Sequence, residues 1–321
     1  MNHTNFFEDT DSIMEAFFHY CHKAGPSKCA FYSSSPSAIE ARFFKLLNRL
    51  KTSPVLIPAR SVNGTMPPMP ELVTYSKLQL LIRTVLYRPY YMFSSLAQAM
   101  TALEERDGLP FYEMAGEWEA PLKSSFCSRN RTSPTDPQNY DNNWDDAFRA
   151  ITCSDGEPFT DTPESFADYA KTLQNISKFA GAAYTHFKLG CVGRQIRPLY
   201  RFPAPWKVET GFPILFIGNI GDNVTPLSSA RKNSRAFPGS VVLVQNSWGH
   251  ASIAAPSTCT AKAIHSYFQN GTLPENETHC EQDFDLFEEP IPITYTNGKD
   301  SKLSHAIHEL SRKISVFRGV L

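Results

Sequence analysis

The sequence predicts an α/β protein in which a long, mostly helical region precedes a short parallel sheet. Three observations carry this. Residues up to 205 read as helices and loops, with no run that reads as a strand. An unbroken apolar run, Phe212 to Gly218, and a β-branched run, Ser240 to Val244, come after it. A helical segment follows each run, the β-α-β-α order of parallel strands joined by a right-handed crossover. The boundaries implied are a helical region over 1–205, an α/β segment over 206–285 and a C-terminal extension over 286–321.

The elements follow from local pattern. Ser12-Ile13-Met14-Glu15 has capping-box spacing, and Ile13, Phe17 and Cys21 lie on one helical face until Gly25-Pro26. Ser35-Pro36 opens a second helix with the stripe Ile39, Phe43, Leu46, Leu47 and Leu50. Residues 51–70 hold prolines and Asn63-Gly64 and read as loop. Glu71 to Tyr87 reads as helix, Pro89 as a break, and Phe93 to Glu105 as helix closing at Gly108. Residues 117–145 are polar and read as a loop, and Thr162-Pro163 starts a helix running to about Gly181.

The run Phe212 to Gly218 suits a strand buried on both faces of a parallel sheet, but as the first of only two strands it is expected to expose a long apolar edge. Thr225-Pro226 caps the helix between them, which Pro238-Gly239 ends. Cys259 to Phe268 is helical up to Asn270-Gly271, and a last amphipathic helix carries Leu303, Ile307, Leu310 and Ile314.

Composition excludes some partners. The net charge is −1, which gives no electrostatic reason to expect nucleic acid or an anionic membrane as partner. No stretch approaches 18 unbroken apolar residues, so no membrane-spanning helix is expected. The acidic start, MNHTNFFEDTDSIMEAFF, lacks the apolar core of a signal peptide. Cysteines and sequons point the other way, to a secretory lineage. There are seven cysteines; Cys21/Cys29 and Cys259/Cys280 have short-loop disulfide spacing, and Cys153 with Cys191 is a further candidate pair. Asn2, Asn63, Asn130, Asn175, Asn223, Asn270 and Asn276 each begin N-x-S/T, where about two or three would arise by chance. The glycosylation candidates taken forward are Asn63, Asn130, Asn175, Asn270 and Asn276.

The chemistry sits after the strands. Gly221-Asp222 and Gly249-His250 place an acid and a histidine at the carboxyl ends of successive strands, where open parallel sheets carry their ligands and catalytic groups. Taken singly, Asp222 is a helix cap and His250 a loop residue. As a pair they fit the acid and base of a Ser-Asp-His triad in the chain order of α/β-hydrolases. The nucleophile is missing: no two of the 16 glycines lie four apart, so neither G-x-S-x-G nor G-x-C-x-G occurs. Gly190-Cys191-Val192-Gly193 has the wrong spacing. His19, Cys21, His22 and Cys29 resemble zinc spacing, but a helix face with a short disulfide accounts for them, so no metal and no cofactor is expected. His305 and His308 are expected to be solvated, and Tyr200, Phe202 and Trp206 to pack between the regions.

Several stretches carry a family resemblance. Phe212 to Asn219, Asp222-Asn223-Val224-Thr225-Pro226-Leu227, Phe237-Pro238-Gly239-Ser240, Gly249-His250, Cys259-Thr260-Ala261 and Tyr267 to Pro274 closely resemble the C-terminal domain of the secreted tripeptidyl-aminopeptidase-like (TAP-like) α/β-hydrolases, fungal type. Asp9-Thr10-Asp11 through Cys21, Ala24-Gly25-Pro26, Cys29-Ala30, Cys191-Val192-Gly193 and Arg197-Pro198 resemble the family's cap. The resemblance implies a partial α/β-hydrolase, its last two parallel strands and flanking helices preceded by a helical cap (lid). It also implies secretion, serine-type acyl transfer on a peptide or ester, and Asp222 and His250 as triad acid and base. The family's serine and oxyanion loop precede its cap, so a truncated gene product or gene model is expected. Two other classes stay open: a non-catalytic remnant or pseudoenzyme that binds a partner, such as a complementing N-terminal hydrolase half, and a hydrolase recruited to a secondary-metabolite pathway.

Overall fold

The structure is a computed structural model, and it describes residues 6–58, 70–116, 144–201, 207–288 and 298–313. The expected loop over 117–145 lies almost wholly outside them, as do Asn2, Asn63, Asn130, Cys127, Phe202, Trp206 and Ile314.

The helical region is built around one apolar core. α1 (Thr10–Ala24), α2 (Pro36–Thr52), α3 (Tyr75–Val85), α4 (Pro89–Glu104) and α5 (Leu109–Gly116) supply most of it. Phe17 of α1 meets Phe93 of α4 edge to face at 4.9 Å between ring centres, a favoured aromatic geometry. The stripe expected on α2 is buried throughout, and Ser35 caps that helix through Ala38 N–H with Pro36 at its first position.

Three local readings change. α1 starts before the expected capping box: Asp9 is its N-cap residue, its side chain caps nothing in that helix, and Ser12 Oγ donates to the Asp9 carbonyl. The cause is tertiary, because Phe7 is stacked on Tyr184 at 4.4 Å and anchors the chain one turn earlier. The 51–73 segment is not all loop and helix: β1 (Val55–Ile57) pairs antiparallel with β2 (Glu71–Val73), and Thr74 then caps α3. Each strand has three residues, too few for alternation to register. Pro89 lies beyond the end of α3 at Val85, as the expected break requires, and itself starts α4 earlier than the expected Phe93, since a first-turn proline forfeits no hydrogen bond.

The second half holds the sheet. α6 (Trp144–Asp155), α7 (Pro163–Ile176) and α8 (Gly181–Leu189) precede it; α7 ends earlier than expected, and the chain restarts as α8. β3 (Leu215–Gly221), α9 (Leu227–Ser234), β4 (Val241–Trp248), α10 (Thr258–Asn270) and β5 (Thr278–Glu281) follow. All three strands are parallel, in the order β3-β4-β5, with Ile217 opposite Leu243 and Leu243 opposite Thr278. The sequence reading counted two strands. The third, Thr-His-Cys-Glu, has only Cys280 buried and carries no apolar pattern to read.

β3 lies at one edge of the sheet and pairs with no further strand among the described residues. It is less bare than expected: Gly218, Asn219 and Gly221 are buried, Leu215 to Ile217 half-buried, and Ile220 exposed. Leu227 of α9 sits against Gly218, and Ile13 of α1 against Gly221.

Disulfides join Cys21–Cys29, Cys153–Cys191 and Cys259–Cys280, matching the candidate pairs. Loops of this size stabilise by about 2–4 kcal/mol each. α11 (Lys299–Lys313) packs on α10 and the 3₁₀ turn Ser252–Ala254. His305 is exposed as expected, whereas His308 is half-buried against Tyr90 and Tyr91, whose Oη donates to the His308 carbonyl at 3.3 Å. Tyr200 is 72% exposed, so it does not pack between the regions.

Candidate active site

Asp222 is the first residue beyond β3, and its carboxylate is held from several sides. Oδ1 accepts from Val224 N–H at 2.8 Å and Thr225 N–H at 2.9 Å. Oδ2 accepts from Thr225 Oγ1 at 2.9 Å and Ala251 N–H at 3.0 Å. Its side chain is 3% exposed. Burial alone would push the carboxyl up. The His250 hydrogen bond and charge, with the Thr225 and Ala251 N–H donors, outweigh it and hold Asp222 below the usual carboxylate range.

His250 is the second residue beyond β4. Nδ1 lies 3.0 and 3.1 Å from the two Asp222 oxygens. An ionised carboxylate only accepts, so in the neutral imidazole Nδ1 carries the proton and Nε2 keeps its lone pair. Among the described residues no side chain is hydrogen-bonded to Nε2. The imidazole, 24% exposed, therefore has one ring nitrogen fixed and the other available.

Two devices place the histidine. Gly249 N–H donates to Gly221 O at 2.8 Å, and His250 N–H to Tyr87 O at 2.9 Å, which ties the turn to the end of α3. Gly249 has φ +108°, and a Cβ there would stand 2.6 Å from Pro89 Cδ and 2.7 Å from Tyr87 O, so only glycine fits. The second device is Asn219. It is fully buried in β3, and its Nδ2 donates to Gly249 O at 2.7 Å and Ala251 O at 2.8 Å, bracketing His250. The Tyr87 ring meets the imidazole edge to face at 5.5 Å.

Sequence reasoning singled out Asp222 and His250 and missed Asn219, Thr225 and Tyr87. Asn219 had a signal: an amide in an otherwise apolar buried run needs a partner. Tyr87 had none, since it lies in the turn after a separate helix, α3. The remaining candidates lie elsewhere. Cys191 is bonded to Cys153. Cys21 and Cys29 are bonded to each other, and His22 Nδ1 lies 3.1 Å from Ser33 O. Among the described residues no group of three or more His, Cys, Asp or Glu is placed to hold a metal ion. Likewise, no helix among them is long and apolar enough to cross a membrane. Asn175, Asn270 and Asn276 are exposed, and Asn223 is fully buried.

An acid and a histidine on successive parallel strand ends, with one ring nitrogen anchored, is the arrangement that α/β-hydrolases use. Residues 177–280 match the family model Abhydrolase_4, described as TAP-like protein. The match supports an α/β-hydrolase family and hydrolase descent for the segment that holds both Asp222 and His250. No curated protein matches the chain.

Proposed function

We propose that this chain is a serine-type α/β-hydrolase by descent, of the secreted peptidase and aminopeptidase-like kind, with Asp222 and His250 as the acid and base of its acyl-transfer site. The Nδ1 contact of 3.0 Å carries the reading. Asp222 fixes the tautomer and stabilises the imidazolium, and Nε2 takes a proton from an attacking hydroxyl and returns it to the leaving group. A positioned base of this kind contributes about 10²–10⁴ in rate. The substrate class is a peptide or ester, and glycans at Asn175, Asn270 and Asn276 fit a secreted protein.

The sequence has no G-x-S-x-G turn to present the hydroxyl. Acyl transfer would therefore need a serine brought to Nε2 by a complementing hydrolase segment, or a nucleophile outside that motif. The same observation favours a second reading: a non-catalytic relative that keeps the acid–base geometry and binds a partner. A fluorophosphonate probe separates the two. Labelling of folded protein that His250→Ala abolishes supports the hydrolase with its own nucleophile. Folded protein that stays unlabelled, alone and mixed with a serine-bearing hydrolase segment, overturns the catalytic reading.

A further inference from the structure

The N-terminal end of α1 reaches the candidate site. Phe7 is fully buried against Tyr184 of α8, and Ile13 packs against Gly221 at the end of β3. Between them Asp9 turns its carboxylate away from its own helix, and Oδ2 accepts the Asp222 backbone N–H at 3.3 Å. Asp9 thus satisfies the backbone amide of the triad-like acid from a different layer.

We propose that Asp9 is a positioning residue for the Asp222–His250 pair: its carboxyl ties the Asp222 turn to the helical region, and the tie changes when that carboxyl takes up a proton. The inference rests on the reading of Asp222 and His250 as acid and base. It adds a residue that acts through Asp222 and touches no reacting atom.

The surroundings explain the proton sensitivity. Burial, Glu8 beside it and the Asp222 charge push the Asp9 carboxyl up to about 6. On its own segment, Glu8 is engaged by Ser228 Oγ, and Asp11 is turned away, accepting from Ser177 Oγ, Lys178 N–H and Phe179 N–H. From the sheet side the ionisable groups are Asp222 and, bonded to it, His250. α8 presents Tyr184, held to the Asn223 carbonyl, with Arg83 of α3 over its ring. Tyr87 borders His250, Lys178 is paired with Glu40, and Arg231 of α9 with Glu277. Arg83, Lys178 and Arg231 are thus stacked or already paired. An ionised Asp9 gives Asp222 N–H a charge-assisted bond but feels the Asp222 charge; a protonated Asp9 weakens the bond and removes that repulsion.

The test follows the Asp222 amide resonance in full-length protein labelled with ¹⁵N-aspartate, titrated from about pH 5 to about pH 7.5. The expected result is a step centred at about 6. The step should persist in His250→Gln, which removes the other ionisable side chain bonded to Asp222. In that His250→Gln background, adding Asp9→Asn, which can still accept the N–H bond, should remove the step while keeping the resonance dispersed. A step that disappears in His250→Gln, or that survives when Asp9→Asn is added to it, overturns the proposal. The titration needs no turnover, so its failure is distinct from failure of the hydrolase reading.

Discussion

Asn219 offers the sharpest test of how the site is held. Its Nδ2 is the shared donor to Gly249 O and Ala251 O at 2.7 and 2.8 Å, in a fully buried position. Asn219→Ala takes that donor from two carbonyls. A buried acceptor that loses its partner costs about 1–3 kcal/mol. Against this, Asn219 Oδ1 is itself buried with no partner among the described residues, and the substitution removes that orphan. The net loss expected is about 2–3 kcal/mol. Asn219→Asp separates donor chemistry from size. Its carboxylate would face two carbonyl oxygens, so the folded protein favours the protonated form and the folded-state pKa rises above the unfolded value. Such a group binds more protons when folded, so stability falls as pH rises from the unfolded pKa through the folded one. Urea unfolding at about pH 5 and about pH 7.5 reads both effects. Asn219→Ala should lose the same amount at both, and Asn219→Asp more at the higher pH. An Asn219→Ala loss under about 0.5 kcal/mol, or Asn219→Asp equally stable at both pH values, refutes the claim that this amide holds the His250 turn.

Other expectations follow from the same geometry. Gly249→Ala should cost about 3 kcal/mol or more by urea unfolding, because φ +108° is strained for alanine and its Cβ would meet Pro89 and Tyr87 backbone atoms; a neutral outcome would show that the turn relaxes freely. Asp222, held below the usual carboxylate range, contributes stability that is complete above its unfolded pKa and is lost as pH falls through its folded one; the advantage of wild type over Asp222→Asn should shrink only on that acid limb. Asp9 has the opposite sign: its raised pKa makes stability fall as pH rises from the unfolded value through about 6, so Asp9→Asn should flatten that part of the profile. In a secretory host, peptide mapping should find glycans at Asn175, Asn270 and Asn276 and none at Asn223; an occupied Asn223 would contradict its complete burial in the fold.

Much of this was readable residue by residue. The α2 stripe, the caps at Ser35 and Thr162, and the strands after Phe212 and Ser240 rest on contacts within one turn or one strand, which local pattern records. Short elements were not readable. β1, β2 and β5 have three or four residues each, and their pairing comes from a neighbour distant in the chain. α1 began earlier than its capping box because Phe7 is fixed by Tyr184, more than a hundred residues away in sequence.

The candidate site divides the same way. Asp222 and His250 follow from the order of glycine, polar residue and strand, because a parallel sheet puts the ends of successive strands side by side. Chain order alone therefore made the pair legible, and the glycine spacing shows that neither G-x-S-x-G nor G-x-C-x-G occurs in the sequence. The setting of the pair came only with the packed chain. Asn219 faces the His250 turn from the adjacent strand, Tyr87 reaches it from the turn after α3, and Asp9 reaches Asp222 from the N-cap of α1. Each of these contacts joins residues from elements distant in sequence, and no periodicity or motif encodes a distance through space.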